Sequence, residues 1–205
     1  SQAILQRLLD RTIVRTFSNF QVIVHLGKRL ILEVNAIEGL PQVPLSLIFN
    51  DPCALLELFE YVSISDYDLS FDLKDEMSEL INVLTPEVIK SNRKKISIHF
   101  SSILLAPFAS NALSIMFEIC EPIDEDNLPN TLIGCFIPET NKMRFLLRNL
   151  SVHQHTVCMH SLKALDQVQK ELYRLKNDYP ELHQYLEPKH IIALKWGVLF
   201  HDLGK

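Results

Sequence analysis

His201-Asp202-Leu203-Gly204-Lys205 stands at the end of a predicted helix that starts at Pro188 and runs through Ile191, Ile192, Leu194, Val198 and Leu199. A neutral imidazole and a carboxylate side by side at a helix end can bind the same divalent metal. The carboxylate can also reach a second ion or a water on the first. A bare His-Asp dipeptide is an ordinary helix-end pair. What points to metal is the buried helix leading into it, and a matching histidine upstream.

That histidine is His160. His153, His155 and His160 crowd into eight positions and open a long predicted helix whose Leu165, Val168, Leu172 and Leu175 make one apolar stripe. Asn177-Asp178-Tyr179-Pro180 ends it, and a short element follows around Leu182 to Leu186. If the two long helices pack antiparallel, the climb from 160 to 176 (~24 Å) and the return from 189 to 201 (~18 Å) nearly cancel. His160 then lies beside His201 and Asp202, the three expected metal ligands. Lys205 is placed to hold a phosphate oxygen near the metal and, with Asp202, is the expected catalytic pair.

The rest of the chain reads as mainly α. With 205 residues, 47% hydrophobic and 22% charged, it can bury a core without staples. Five glycines and ten prolines are too few turn-formers for a many-stranded β sandwich. Residues 2–16 place Ile4, Leu8 and Ile13 at helical spacing, with Arg7, Arg11 and Arg15 on the other side. Residues 20–24 and 30–34 read as two strands around a turn at Gly27, the one β-hairpin expected. Pro41 and Pro44 mark a loop, and Asp51-Pro52 starts a helix through Leu55, Leu56 and Phe59. Leu69 to Leu84 is a further amphipathic candidate, and Pro122 to Pro129 an acidic loop.

Ile96 to Phe117 holds 22 residues without Asp, Glu, Lys or Arg, long enough to span a bilayer. His99, Pro107, Asn111 and five serines lower its apolarity, so two buried helices broken at Pro107 are expected instead of a membrane span. The net charge of -5 argues against a general nucleic-acid binder. Charge is uneven, with 10 acidic and 1 basic residue over 51–87 but 10 basic and 6 acidic over 142–205, which suits an anionic substrate in the last stretch. Cys53, Cys120, Cys135 and Cys158 form no CxxC pattern and read as free thiols of a reducing cytoplasm. No basic segment followed by an apolar stretch opens the chain, so no signal peptide is expected.

His160 with His201-Asp202 resembles the opening half of the HD-domain metal-dependent phosphohydrolases. The wider chain resembles one branch of them, the bacterial enzymes that attach uridylyl groups to the nitrogen-regulatory PII protein and remove them. Asn19-Phe20-Gln21 with the strands after it, Phe49-Asn50-Asp51-Pro52 with Leu55, Leu56 and Phe59, and Leu132-Ile133-Gly134-Cys135-Phe136-Ile137-Pro138-Glu139 are similar to segments of that branch, in its order. His153-Gln154-His155-Thr156-Val157-Cys158-Met159-His160-Ser161-Leu162 is similar to its stretch carrying the first metal histidine. The resemblance covers roughly residues 15 to 205.

The resemblance implies that residues 1–150 are a helical inter-domain region, with the hairpin near 20–34, and that 151–205 are the N-terminal part of an all-α HD domain. It implies a divalent cofactor (Mn, Mg, Zn or Fe) and phosphodiester hydrolysis of uridylyl-tyrosine on a PII-like partner, in a parent enzyme that also carries a nucleotidyltransferase. From charge and hydropathy, neither nucleic acid nor a membrane is expected as a partner. The family has an acidic pair where Cys158-Met159 stands here, and its pattern includes a later aspartate to close the metal site. The chain as given is therefore expected to hold an incomplete, inactive site. Two alternatives stay open: an HD phosphohydrolase acting on a nucleotide or cyclic dinucleotide, and a degenerate, non-enzymatic HD module.

Overall fold

The computed structural model describes residues 12–16, 20–25, 30–35, 52–65, 68–69, 71–122, 129–144, 146 and 156–203. The expected turn at Gly27, the loop at Pro41 and Pro44, the helix cap at Asp51, most of the acidic loop at 122–129, and His153, His155 and Lys205 lie outside the described residues.

Three strands, β1 (Thr12–Thr16), β2 (Phe20–His25) and β3 (Leu30–Asn35), pair antiparallel in the order β1-β2-β3. Phe20 lies opposite Asn35 and His25 opposite Leu30, while Thr12 lies opposite His25. Thr12–Thr16 is thus a strand where the 2–16 periodicity predicts a helix. Four of its five residues are β-branched, and stiff side chains of that kind favour a pleated surface over a helical turn.

The described helices start where proline and threonine allow. Pro52 is the first residue of α1 (Pro52–Ser65), which buries Leu55, Leu56, Leu58, Phe59 and Val62. The expected single helix over Leu69–Leu84 is instead a short α2 (Phe71–Met77) continued by a tight 3-10 segment (Ser78–Asn82). Lys74 on α2 lies 2.8 Å from both Asp68 and Glu118. Burial alone would lower its pKa, but these two carboxylates outweigh that and hold it above the ordinary lysine value.

Thr85 caps α3 (Pro86–Leu105), its hydroxyl accepting from the Val88 amide, and Pro86 occupies the first turn. Ala106-Pro107-Phe108 breaks the helical run, and α4 (Ala109–Glu118) follows. Among the described residues no helix is long and apolar enough to cross a membrane. At the break the Phe108 amide donates to the Ser63 carbonyl of α1. The α4 helix buries Ala109, Ala112, Leu113, Ile115, Met116 and Phe117, so it is covered on most sides, by α1 and by the later helix Val157–Asp178 among others.

Beyond α4 the chain forms α5 (Leu132–Phe136) and a 3-10 segment (Pro138–Arg144). The 3-10 segment folds back so that its Asn141 faces Gly134 of α5. Asn141 lies against that glycine, its Oδ1 accepting from the Thr131 amide (2.9 Å) and hydroxyl (3.0 Å), while its Nδ2 donates to Asn130 Oδ1 (3.0 Å). A Cβ on Gly134 would stand 1.7 Å from Asn141 Oδ1. Gly134→Ala therefore expels the amide and breaks all three bonds, and a loss of about 2–3 kcal/mol is expected in urea unfolding. A Gly134→Ala midpoint equal to wild type would refute this account.

Three further helices follow among the described residues, α6 (Val157–Asp178), α7 (Pro180–His183) and α8 (Pro188–Phe200). The expected apolar stripe of α6 is fully buried only at its start, through Leu165. Val168, Leu172 and Leu175 instead line an apolar cleft of about 420 Å³ together with Leu182 and Leu194. α8 packs on α6 and α3, with Leu199 buried, Trp196 stacked on Phe200 at 5.1 Å, and Phe100 at 5.8 Å from Trp196.

Candidate metal centre

His160 sits in the first turn of α6. Thr156 caps that helix by accepting from the Met159 amide (3.3 Å), and the Val157 amide donates to the Leu146 carbonyl (2.9 Å). Val157, Cys158, Ser161, Leu162 and Leu165 form the buried face, which leaves His160 at its margin. His201 and Asp202 lie in the turn that leaves α8, closed by the Leu203 amide on the Phe200 carbonyl (2.9 Å). The carbonyl of Val198 belongs to the last turn of α8, where intrahelical donors run out, and His201 Nδ1 lies 2.7 Å from it. A carbonyl only accepts, so Nδ1 carries the proton and the neutral ring keeps its lone pair on Nε2.

The ring nitrogens and the carboxylate converge. His160 Nε2 lies 3.2 Å from His201 Nε2 and 3.7 Å from Asp202 Oδ2, and His201 Nε2 lies 3.3 Å from the same carboxylate oxygen. Two ligands of one ion, each at ~2.0–2.2 Å, stand about 3.0–3.5 Å apart in octahedral or tetrahedral geometry. The two edges at His201 Nε2 fall in that range and the third, at 3.7 Å, is slightly longer, so a small closing movement lets the three side chains hold one metal ion. Asp202 is almost wholly buried, with 1% of its side chain exposed, whereas about a third of each imidazole faces solvent. The carboxylate thus lies on the inner side of the site while the histidine edges are open to solvent.

The antiparallel arrangement expected from helix lengths is what brings His160 to His201 and Asp202. Lys205 lies outside the described residues. All four cysteines are free thiols. Burial pushes the Cys158 thiol up to about 12, so at neutral pH it is a neutral core group beside the site and not a thiolate ligand.

Sequence reasoning missed two features that position the site. The first is Lys195, fully buried in α8. Its ammonium donates to the carbonyls of Leu104 and Ala106 and to the side-chain carbonyl of Gln169 on α6. The Leu104 carbonyl would ordinarily accept from the amide four residues on, but the Phe108 amide is drawn away to Ser63. Lys195 fills that vacancy and ties α8 to both the Pro107 break and α6. A lone charge inside the apolar run Ile191–Leu199 was the available signal.

The second is a cleft of about 440 Å³ beside the triad, lined by Pro138, Glu139, Lys142, Met143, Leu146, Val157, Asp202 and Leu203. No spacing rule in the sequence brings the 138–144 turn next to Asp202. Searches against protein-family profiles found no match for this chain, and no curated protein matches it significantly.

Proposed function

We propose that residues 151–205 form the N-terminal part of a metal-dependent phosphohydrolase domain of HD type. Residues 1–150, with the strand pair near 20–34, are then an inter-domain region. The observation that carries the reading is the triangle of His160 Nε2, His201 Nε2 and Asp202 Oδ2, with edges of 3.2, 3.3 and 3.7 Å. His160, His201 and Asp202 would hold a divalent ion there, and that ion would supply Lewis acidity for phosphodiester hydrolysis.

The chain's own residues do the positioning. The Val198 carbonyl fixes the His201 tautomer, the capped first turn of α6 presents His160, and buried Asp202 supplies the negative charge. The substrate favoured by the motif resemblance is the uridylyl-tyrosine phosphodiester of a PII-like signalling protein in a reducing cytoplasm, where four free thiols are at home. In the full-length protein, His201→Ala and Asp202→Ala are expected to abolish Mn²⁺-dependent release of the nucleotide from that partner. Unchanged turnover in either variant overturns the assignment. Hydrolysis of a cyclic dinucleotide with no action on the modified partner would move the protein to the alternative substrate class.

A non-enzymatic module is the second reading. The feature favouring it is Cys158-Met159, a buried neutral thiol and an exposed thioether where the resembled family carries two acids. A wild-type protein that binds Mn²⁺ but hydrolyses none of these phosphodiesters would select it.

A further inference from the structure

The cleft beside Asp202 shares its walls with the candidate metal centre. Val157 lies one helical turn before His160 on the same face of α6, and Asp202 belongs to both. Opposite them stands the 3-10 segment Pro138–Arg144, which packs on α6 and is pinned by Asn141 against Gly134 and Thr131. Most of the lining is apolar, through Pro138, Met143, Leu146, Val157 and Leu203.

Two sources of positive potential converge on this cleft from the chain itself. Lys142 is exposed, and among the described residues its ammonium makes no ion pair or hydrogen bond. The N-terminus of the 22-residue α6 opens onto the cleft at Val157 and carries the positive end of the helix dipole. A metal ion on the triad would add a third. Glu139 opposes them. It is exposed and precedes Lys142 by three positions, the eclipsed spacing of a 3-10 turn, yet no ion pair joins the two.

We propose that this cleft seats a phosphoryl group of the substrate, with the Lys142 ammonium as its binding cation next to the metal ligands. The proposal rests on the metal-centre reading and adds the residue that recognises the anion. Lys142 would contact the non-bridging oxygens as a point charge, while the apolar wall takes the group esterified to the phosphorus.

Inorganic phosphate is the probe, titrated calorimetrically into the 205-residue chain with Mn²⁺ bound. Lys142→Ala is expected to bind it about tenfold more weakly than wild type, the scale of one charge-assisted contact. Lys142→Arg should restore most of that loss, and Glu139→Gln should bind phosphate about twofold more tightly. Mn²⁺ affinity, measured without phosphate, should be the same in Lys142→Ala and wild type. Phosphate affinity unchanged in Lys142→Ala, or Lys142→Arg as weak as alanine, overturns the cleft assignment and leaves the metal centre standing. If wild type binds no Mn²⁺, the metal-centre reading fails instead, and the same three variants titrated without metal still decide whether Lys142 binds phosphate.

Discussion

Asp202→Asn is expected to weaken Mn²⁺ or Zn²⁺ binding more than ~100-fold while leaving the fold intact. Altering a residue that only orients a metal ligand commonly lowers affinity 10- to 100-fold, so removing the charged ligand itself should exceed that range. Asparagine keeps the shape of the side chain in its buried seat and removes only the negative charge that faces both imidazoles. The thermal readout separates this from a structural defect. At a metal concentration of about 1,000 times its dissociation constant, a ligand that binds only the folded state stabilises it by roughly 4 kcal/mol. Wild type should therefore show a clear metal-dependent rise in melting temperature, and Asp202→Asn should show almost none. Equal shifts in the two proteins would mean that the triad is not where metal binds.

Lys195→Ala is expected to destabilise the chain by about 3 kcal/mol or more. The substitution leaves the Leu104 and Ala106 carbonyls buried without their donor, each an orphan of about 1–3 kcal/mol, and also removes the packed stem of the side chain. The partners of the ammonium are all neutral acceptors, so burial dominates and pushes the lysine down from 10.5 to about 8. A pKa lowered on folding means that the unfolded chain holds the proton more tightly. Below pH 8 both states are protonated and the penalty for burying the charge is present in full. Between pH 8 and 10.5 the folded state sheds the proton while the unfolded state keeps it. Stability attributable to Lys195 therefore rises with pH across that window, by up to about 3 kcal/mol. Urea unfolding across that range should show the rise in wild type and lose it in Lys195→Met. A rise of the same size in Lys195→Met would assign it to other groups.

Much of the helical layout was legible because proline punctuates it. Pro52, Pro86, Pro180 and Pro188 each occupy the first residue of a helix, and Pro107 marks the break between α3 and α4. The segment at 12–16 was not, because Arg7, Arg11 and Arg15 mimic a helical face while the local β-branched run decides the backbone. The triad was legible because its placement depends on little more than two helix lengths. Lys142 was not, since its role follows from how a 3-10 turn lies against the start of α6, a tertiary relation with no local spacing. Lys195 fell between the two: a charge within an apolar helix signals burial, but the carbonyls it serves are 91 and 89 residues away.

His160 and His201 are 41 positions apart, and they meet only because α8 folds back along α6. An ion shared between them would thus act as a reversible cross-link across the last two long helices. Closing a covalent loop of comparable length removes about 4 kcal/mol of chain entropy from the unfolded state. By that measure a bound metal would be a clasp for the hairpin of α6 and α8 as well as a source of the proposed chemistry. A chelator should then loosen the docking of α8, visible as faster amide exchange in Ile191–Leu199, before it disturbs α1, α3 and α4.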